Sequence, residues 1–114
     1  MTVNEAIEIA CPSFPSELER TELIKRLSEL ECRIATELFG KKSSEPEGLT
    51  VLLAPDAYAE VYPVYLMMRR ELDCGDEGRY ALYRRAFEDA YARLAAYASR
   101  SVLRAASAIK LLGD

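Results

Sequence analysis

Residues 54–66 read APDAYAEVYPVYL, with tyrosines at positions 58, 62 and 65. Steps of four and then three place their rings along one face of an α-helix, because helical side chains recur on the same side at those intervals. Asp56 is a suitable N-cap, since its carboxylate accepts from the free N–H groups of a first turn. The pattern predicts a helix from Asp56 to about Asp73, with Tyr58, Tyr62, Tyr65, Leu66, Arg69 and Leu72 on or near one stripe. Pro63 lies inside it. Having no amide hydrogen, it predicts either a kink or a helix whose well-formed part starts later.

Downstream, DCGDEG (73–78) breaks the pattern: Gly75 suits the end of one helix and Asp76 the cap of the next. Asp73, Glu77 and Gly78 match the first, fifth and sixth positions of a calcium-binding EF-hand loop. Gly75 stands at the third, however, and Arg84 where a bidentate glutamate is required, so calcium is excluded. Tyr80, Tyr83, Phe87, Tyr91, Leu94 and Ala98 then follow helical spacing, predicting a helix from 77 to about Ser99. Two tyrosine-bearing helices joined by so short a turn form an antiparallel hairpin. All seven tyrosines lie after residue 57, against only three phenylalanines in the chain. That choice suits a surface apolar in contact yet tolerable in water, so some rings are expected to face another subunit.

Upstream, Thr2 with Glu5 matches a capping box before a helix of about two turns, which Pro12 and Pro15 interrupt. Ser16 with Glu19 repeats that pattern, and Leu23, Leu27, Leu30, Ile34 and Leu38 continue an amphipathic helix to Gly40. Its outer face offers the pairs Glu22 with Arg26 and Glu29 with Arg33. KKSSEPEG (41–48) reads as an exposed loop. The short apolar run LTVLL (49–53) reads as a strand or an extended arm near 49–54. The expected fold is therefore all-α, a small bundle of about four helices, with residues 1–100 as one helical domain and 101–114 as a tail.

Composition narrows the function. With 114 residues and a net charge of −4, the chain has no general attraction to phosphate, the interaction that contributes most to nucleic-acid affinity. Residues 1–57 hold six basic and eleven acidic side chains, and residues 58–114 hold nine and eight, giving −5 and +1. No apolar run approaches the roughly 18 residues of a membrane span, and the acidic start MTVNEAIEIACP is unlike a signal peptide, so neither membrane insertion nor export is expected. Cys11, Cys32 and Cys74 are widely spaced and odd in number, which fits buried thiols in a reducing compartment. The chain has no histidine, no glycine-rich phosphate loop and no facing carboxylate pair. Neither a catalytic site, a cofactor nor a metal is expected. Arg69, Arg70, Arg84 and Arg85 read first as ion-paired surface, with an interface role the alternative.

Four stretches carry a resemblance in their order: TVNEAI (2–7), IKRLSELECRI (24–34), LLAPDAYAEVYPVYL (52–66) and GRYALYRRAFEDAYARLAAY (78–97). Together they resemble the small head-tail connector, or adaptor, proteins of long-tailed bacteriophages and prophages, over about the first hundred residues. Three positions depart from the family pattern: Arg26 stands where an aromatic often precedes L-S-E-L, Glu31 replaces the usual Asp, and Pro63 replaces a helix former. The resemblance implies a structural protein of the virion's head-tail junction, assembled in the host bacterial cytoplasm. It would form a homo-oligomeric ring matching the portal, bind the portal protein, and offer a platform to a head-completion or tail protein. Packaged DNA would pass through without specific binding.

Residues expected at a subunit or portal interface are Leu49, Val51, Leu52, Leu53, Tyr58, Tyr62, Arg69 and Arg70, with Val102, Leu103, Ile109, Leu111 and Leu112 in a tail too apolar to be free. The tail otherwise reads as a short helix folded back on its own core. Two other classes compete: a bacterial regulatory or antitoxin-like module dimerising through its tyrosine seam, and a small helical enzyme using Tyr, Cys or carboxylates.

Overall fold

A computed structural model of the chain describes residues 1–13, 15–40 and 51–112, with Cys74 and residues 102–112 described by backbone alone. The KKSSEPEG loop and Leu49 lie outside the described residues. Four α-helices follow in order: α1 (Val3–Ala10), α2 (Glu17–Glu37), α3 (Val61–Cys74) and α4 (Glu77–Leu112), with a 3-10 turn, Asp56–Tyr58, ahead of α3. The fold is an all-α bundle.

Both N-terminal caps form as the sequence predicts. Thr2 Oγ1 accepts from the Glu5 amide at 3.2 Å while Glu5 accepts from the Thr2 amide at 3.1 Å, and Ser16 Oγ accepts from the Glu19 amide at 3.2 Å. Gly75 closes α3 in the left-handed region at φ 82°, where a side chain would be strained. Asp76 then accepts from the Arg79 amide at 3.0 Å to cap α4.

Two boundaries differ from expectation. Asp56 does not cap a long helix: its carboxylate meets the Met1 α-amino group at 2.7 Å, and α3 starts at Val61. Pro63 thereby falls in the first turn, where an amide hydrogen has no partner within the helix, so it causes no broken ladder there. The Ala59 carbonyl that Pro63 leaves free accepts instead from Tyr62 N at 3.1 Å. The second difference is α4, which runs past Ser99 to Leu112 as one helix of 36 residues. Residues 100–112 contain neither glycine nor proline, and good helix formers carry the helix on.

α3 is the centre of the packing, meeting α1, α2 and α4. Tyr65 packs on Phe87 at 5.3 Å and Tyr58 on Tyr97 at 4.9 Å, so α3 and α4 run antiparallel. Leu27, Leu30 and Ile34 of α2, Leu66 of α3 and Leu94 of α4 are fully buried and make one core with Val3 and Ile7 of α1. Residues 51–55 run extended across it. Val51 makes a single antiparallel bridge with Thr2, and the Leu52 amide donates to the Met1 carbonyl at 2.9 Å.

Candidate interaction surface and the buried carboxylate beneath it

Three successive amides of the extended segment each donate to a different element. Leu52 N reaches the Met1 carbonyl, Leu53 N reaches Glu31 Oε2 of α2 at 3.0 Å, and Ala54 N reaches the Tyr62 hydroxyl of α3 at 2.9 Å. Tyr62 donates in turn to Glu31 Oε1 at 2.9 Å. Segment 51–55 is a strap, clamped on one carboxylate and one phenol. Glu31 is 5% exposed, the one buried charged side chain among the described residues. Burial raises its pKa, while the Leu53 amide and the Tyr62 hydroxyl oppose that rise. Burial likewise pushes the Tyr62 hydroxyl far above the ordinary tyrosine range, the Ala54 amide alone favouring its charged form.

This arrangement gives two sequence motifs a physical reading. The acid after S-E-L is Glu31, and the middle tyrosine of APDAYAEVYPVYL is Tyr62. They are partners, although 31 residues apart.

The residues expected at an interface divide by where the fold places them. Val51 is 71% exposed and Leu53 is 38% exposed, so the strap shows an apolar edge outward. Leu52 and Tyr62 are buried in their own chain, because alternate strap residues face the core and Tyr62 is needed at Glu31; both leave the interface set. Tyr58 is half-buried beneath Tyr97. Arg69 is engaged inside the bundle: it donates to the Tyr65 hydroxyl at 3.1 Å, lies over that ring and approaches Glu29 at 3.6 Å. Arg70 is exposed. Val102, Leu103, Ile109, Leu111 and Leu112 fall on the last turns of α4, where side chains lie outside the description.

Several surface expectations also change. Glu22 pairs with Arg26 at 3.6 Å as foreseen, but Arg26 also bonds Asp73 of α3. Glu29 turns to Arg69 instead of Arg33, and Arg33 pairs with Glu37 at 3.2 Å while lying 4.5 Å above the Tyr91 ring. Tyr91 completes that cluster by donating to Glu37 at 2.7 Å. Burial and the Glu37 contact push the Tyr91 hydroxyl up to about 12. Cys32 is exposed and Cys11 half-buried, contrary to the expected buried thiols, because position 32 points off the core stripe of α2. Leu72, expected near the α3 stripe, is 51% exposed. Sequence reading also passed over Ile9, Leu18 and Leu82, which are all exposed. Their signal was present: apolar residues lying off the helical stripes.

An open cleft of about 480 Å³ lies between the end of α1, the start of α2 and the end of α3, lined by Cys11, Leu23, Arg26, Arg70 and Asp73 among others. Its charges are largely internally paired through Arg26. Among the described residues no three His, Cys, Asp or Glu side chains converge on a metal-sized site, and no helix is long and apolar enough to cross a membrane. Comparison with protein-family models, curated proteins and solved structures finds no match.

Proposed function

We propose that the chain is a structural subunit of a phage or prophage head-tail junction, assembling as a homo-oligomeric ring on the portal and offering its far side to a head-completion or tail protein. One observation carries the reading: residues of the motifs that resemble the connector family help hold this fold together, among them an acid at position 31 where the family's usual residue is Asp. Glu31 and Tyr62, from two separate motifs, hold each other and the strap. The Thr2 and Glu5 box of a third starts α1. Tyr80, Tyr83 and Tyr91 of a fourth pack on the core. A likeness in motifs that work together is harder to reach by chance than one of scattered residues.

The exposed apolar edge of the strap, Val51 and Leu53, supplies a surface for a neighbouring subunit. No comparable observation favours a dimerising regulatory module, since Tyr62, Tyr65 and Phe87 are already buried within one chain. The test is mass by light scattering, first on the chain alone and then with the portal protein encoded beside it. A portal-bound complex with many copies of this chain is expected. A stable dimer that ignores the portal would overturn the reading.

A further inference from the structure

Glu31 is a buried acid without a counter-ion. One turn to either side of it along α2 stand Leu27, Ser28, Ile34 and Ala35, none of them basic. Cations on the surrounding elements are engaged elsewhere: the Met1 amino group ahead of α1 with Asp56, Arg33 of α2 with Glu37, Arg69 of α3 with Glu29, and Arg93 of α4 with Glu60. Glu5 of α1 is taken up by the Thr2 amide, and Tyr91 of α4 turns to Glu37. What meets Glu31 is the Leu53 amide from the strap and the Tyr62 phenol from α3, which its own burial keeps neutral. Among the described residues no ion pair includes Glu31.

The cover over this acid is thin. Of the strap's three amide bonds, one reaches backbone, at Met1, and two end on side chains, Glu31 and Tyr62. Leu52 and Ala54 are what the strap buries, while Val51 and Leu53 already face outward. None of these bonds belongs to a helix ladder, so the strap can lift without unwinding a helix. Lifting lets water reach the carboxylate. An ionised carboxylate gains far more from water than a protonated one, and the protonated form keeps acceptor capacity for its donors. The Leu53 amide and the Tyr62 hydroxyl favour the charge in place, but burial outweighs them and raises the pKa of Glu31.

We infer that the strap is a proton-controlled latch: with Glu31 protonated it lies closed over α2 and α3, and ionisation of Glu31 shifts it towards a lifted state in which Leu52 and Ala54 join Val51 and Leu53 at the surface. Such a latch goes beyond the ring reading and does not depend on it. Its sign follows from linkage. Glu31 holds its proton more tightly under the closed strap than under the lifted one, so closure is strongest below the ordinary glutamate value of 4.5 and weakens as the pH climbs through the higher closed value. A single proton limits the effect to about tenfold per pH unit.

Amide hydrogen exchange of the full chain tests it, followed by NMR from about pH 4 to about pH 7 and expressed relative to unprotected amides. The Leu52, Leu53 and Ala54 amides should be at least roughly tenfold less protected than those of Leu30 and Leu66 in the helices, the mark of a local opening. Their protection should fall at least roughly tenfold across this range in the wild type and stay level in Glu31→Gln, which keeps the shape and loses the titrating proton. Strap amides as well protected as the helix amides would overturn the inference. So would strap protection that ignores pH, or a fall that survives in Glu31→Gln. Should that variant fail to fold, the carbon-13 shift of the Glu31 carboxyl decides in the wild type: its midpoint should lie above 4.5 and coincide with the loss of strap protection. A midpoint at or below the ordinary value, or one that the strap amides do not follow, would overturn the latch.

Discussion

Tyr62 donates its hydroxyl hydrogen to Glu31 across 2.9 Å while accepting the amide of Ala54 on its other side. One phenol thus joins α2, α3 and the strap. Replacing Tyr62 with Phe leaves the ring in place but strands the Ala54 amide and one carboxylate oxygen in a buried site. An unsatisfied buried group costs about 1–3 kcal/mol. Urea denaturation should show a loss in that range with an unchanged slope; a neutral result would mean that water serves both groups.

Glu31 has a folded pKa raised by burial above its ordinary value of 4.5. A carboxyl raised on folding contributes stability that is fully present below its unfolded pKa and is lost as the pH climbs through the higher folded value. Exposed Glu37 and Asp56 are shifted the other way, by Tyr91 and by the Met1 amino group respectively. The difference between wild type and Glu31→Gln isolates the buried group. As the pH falls from about 7 to about 4, this difference should move in favour of the wild type. Movement the other way would mean that the two donors more than offset burial.

Leu94 is fully buried in α4, whereas Leu82, three turns earlier on the same helix, is 65% exposed. Leu94→Ala should cost about 2–5 kcal/mol, the usual loss on opening a core cavity. Leu82→Ala should fall within about 0.5 kcal/mol of the wild type. Thermal melts of both variants, with a comparable loss in each, would show that Leu82 is covered in solution.

Alkaline titration of phenol absorbance offers a fourth handle on the packing. With Tyr62 held above the normal range and Tyr91 pushed up to about 12, neither phenol should contribute to the first ionisation wave of the folded chain. Tyr91→Phe should leave the amplitude of that wave unchanged. A smaller first wave in this variant would mean that Tyr91 titrates as a free phenol.

Local signals in the sequence were good guides to local structure. Thr2, Ser16, Gly75 and Asp76 sit where their side chains or backbone freedom are needed, because capping involves residues only a few positions apart. The stripe Leu27, Leu30 and Ile34 was legible for the same reason. What escaped depended on distant partners. Asp56 looks like a cap until Met1 arrives from 55 residues away, and Glu29 looks paired with Arg33 until α3 brings Arg69 closer. Within the candidate surface, Val51, Leu52 and Leu53 read alike in sequence; the fold turns Val51 and Leu53 outward, and nothing local marked Leu52 and Tyr62 as interior or Glu31 as the anchor of Leu53 and Tyr62.

The strap also constrains the order in which the molecule is put together. The α3–α4 hairpin closes across the short turn at Gly75 and Asp76 and needs no other element to form. The Leu53 and Tyr62 bonds to Glu31 span 22 and 31 residues and cannot exist until α2 has settled beside α3. Strap closure therefore depends on the docking of α2 beside α3. In reverse, it is the opening that exposes Leu52 and Ala54 while every helix keeps its own backbone bonds.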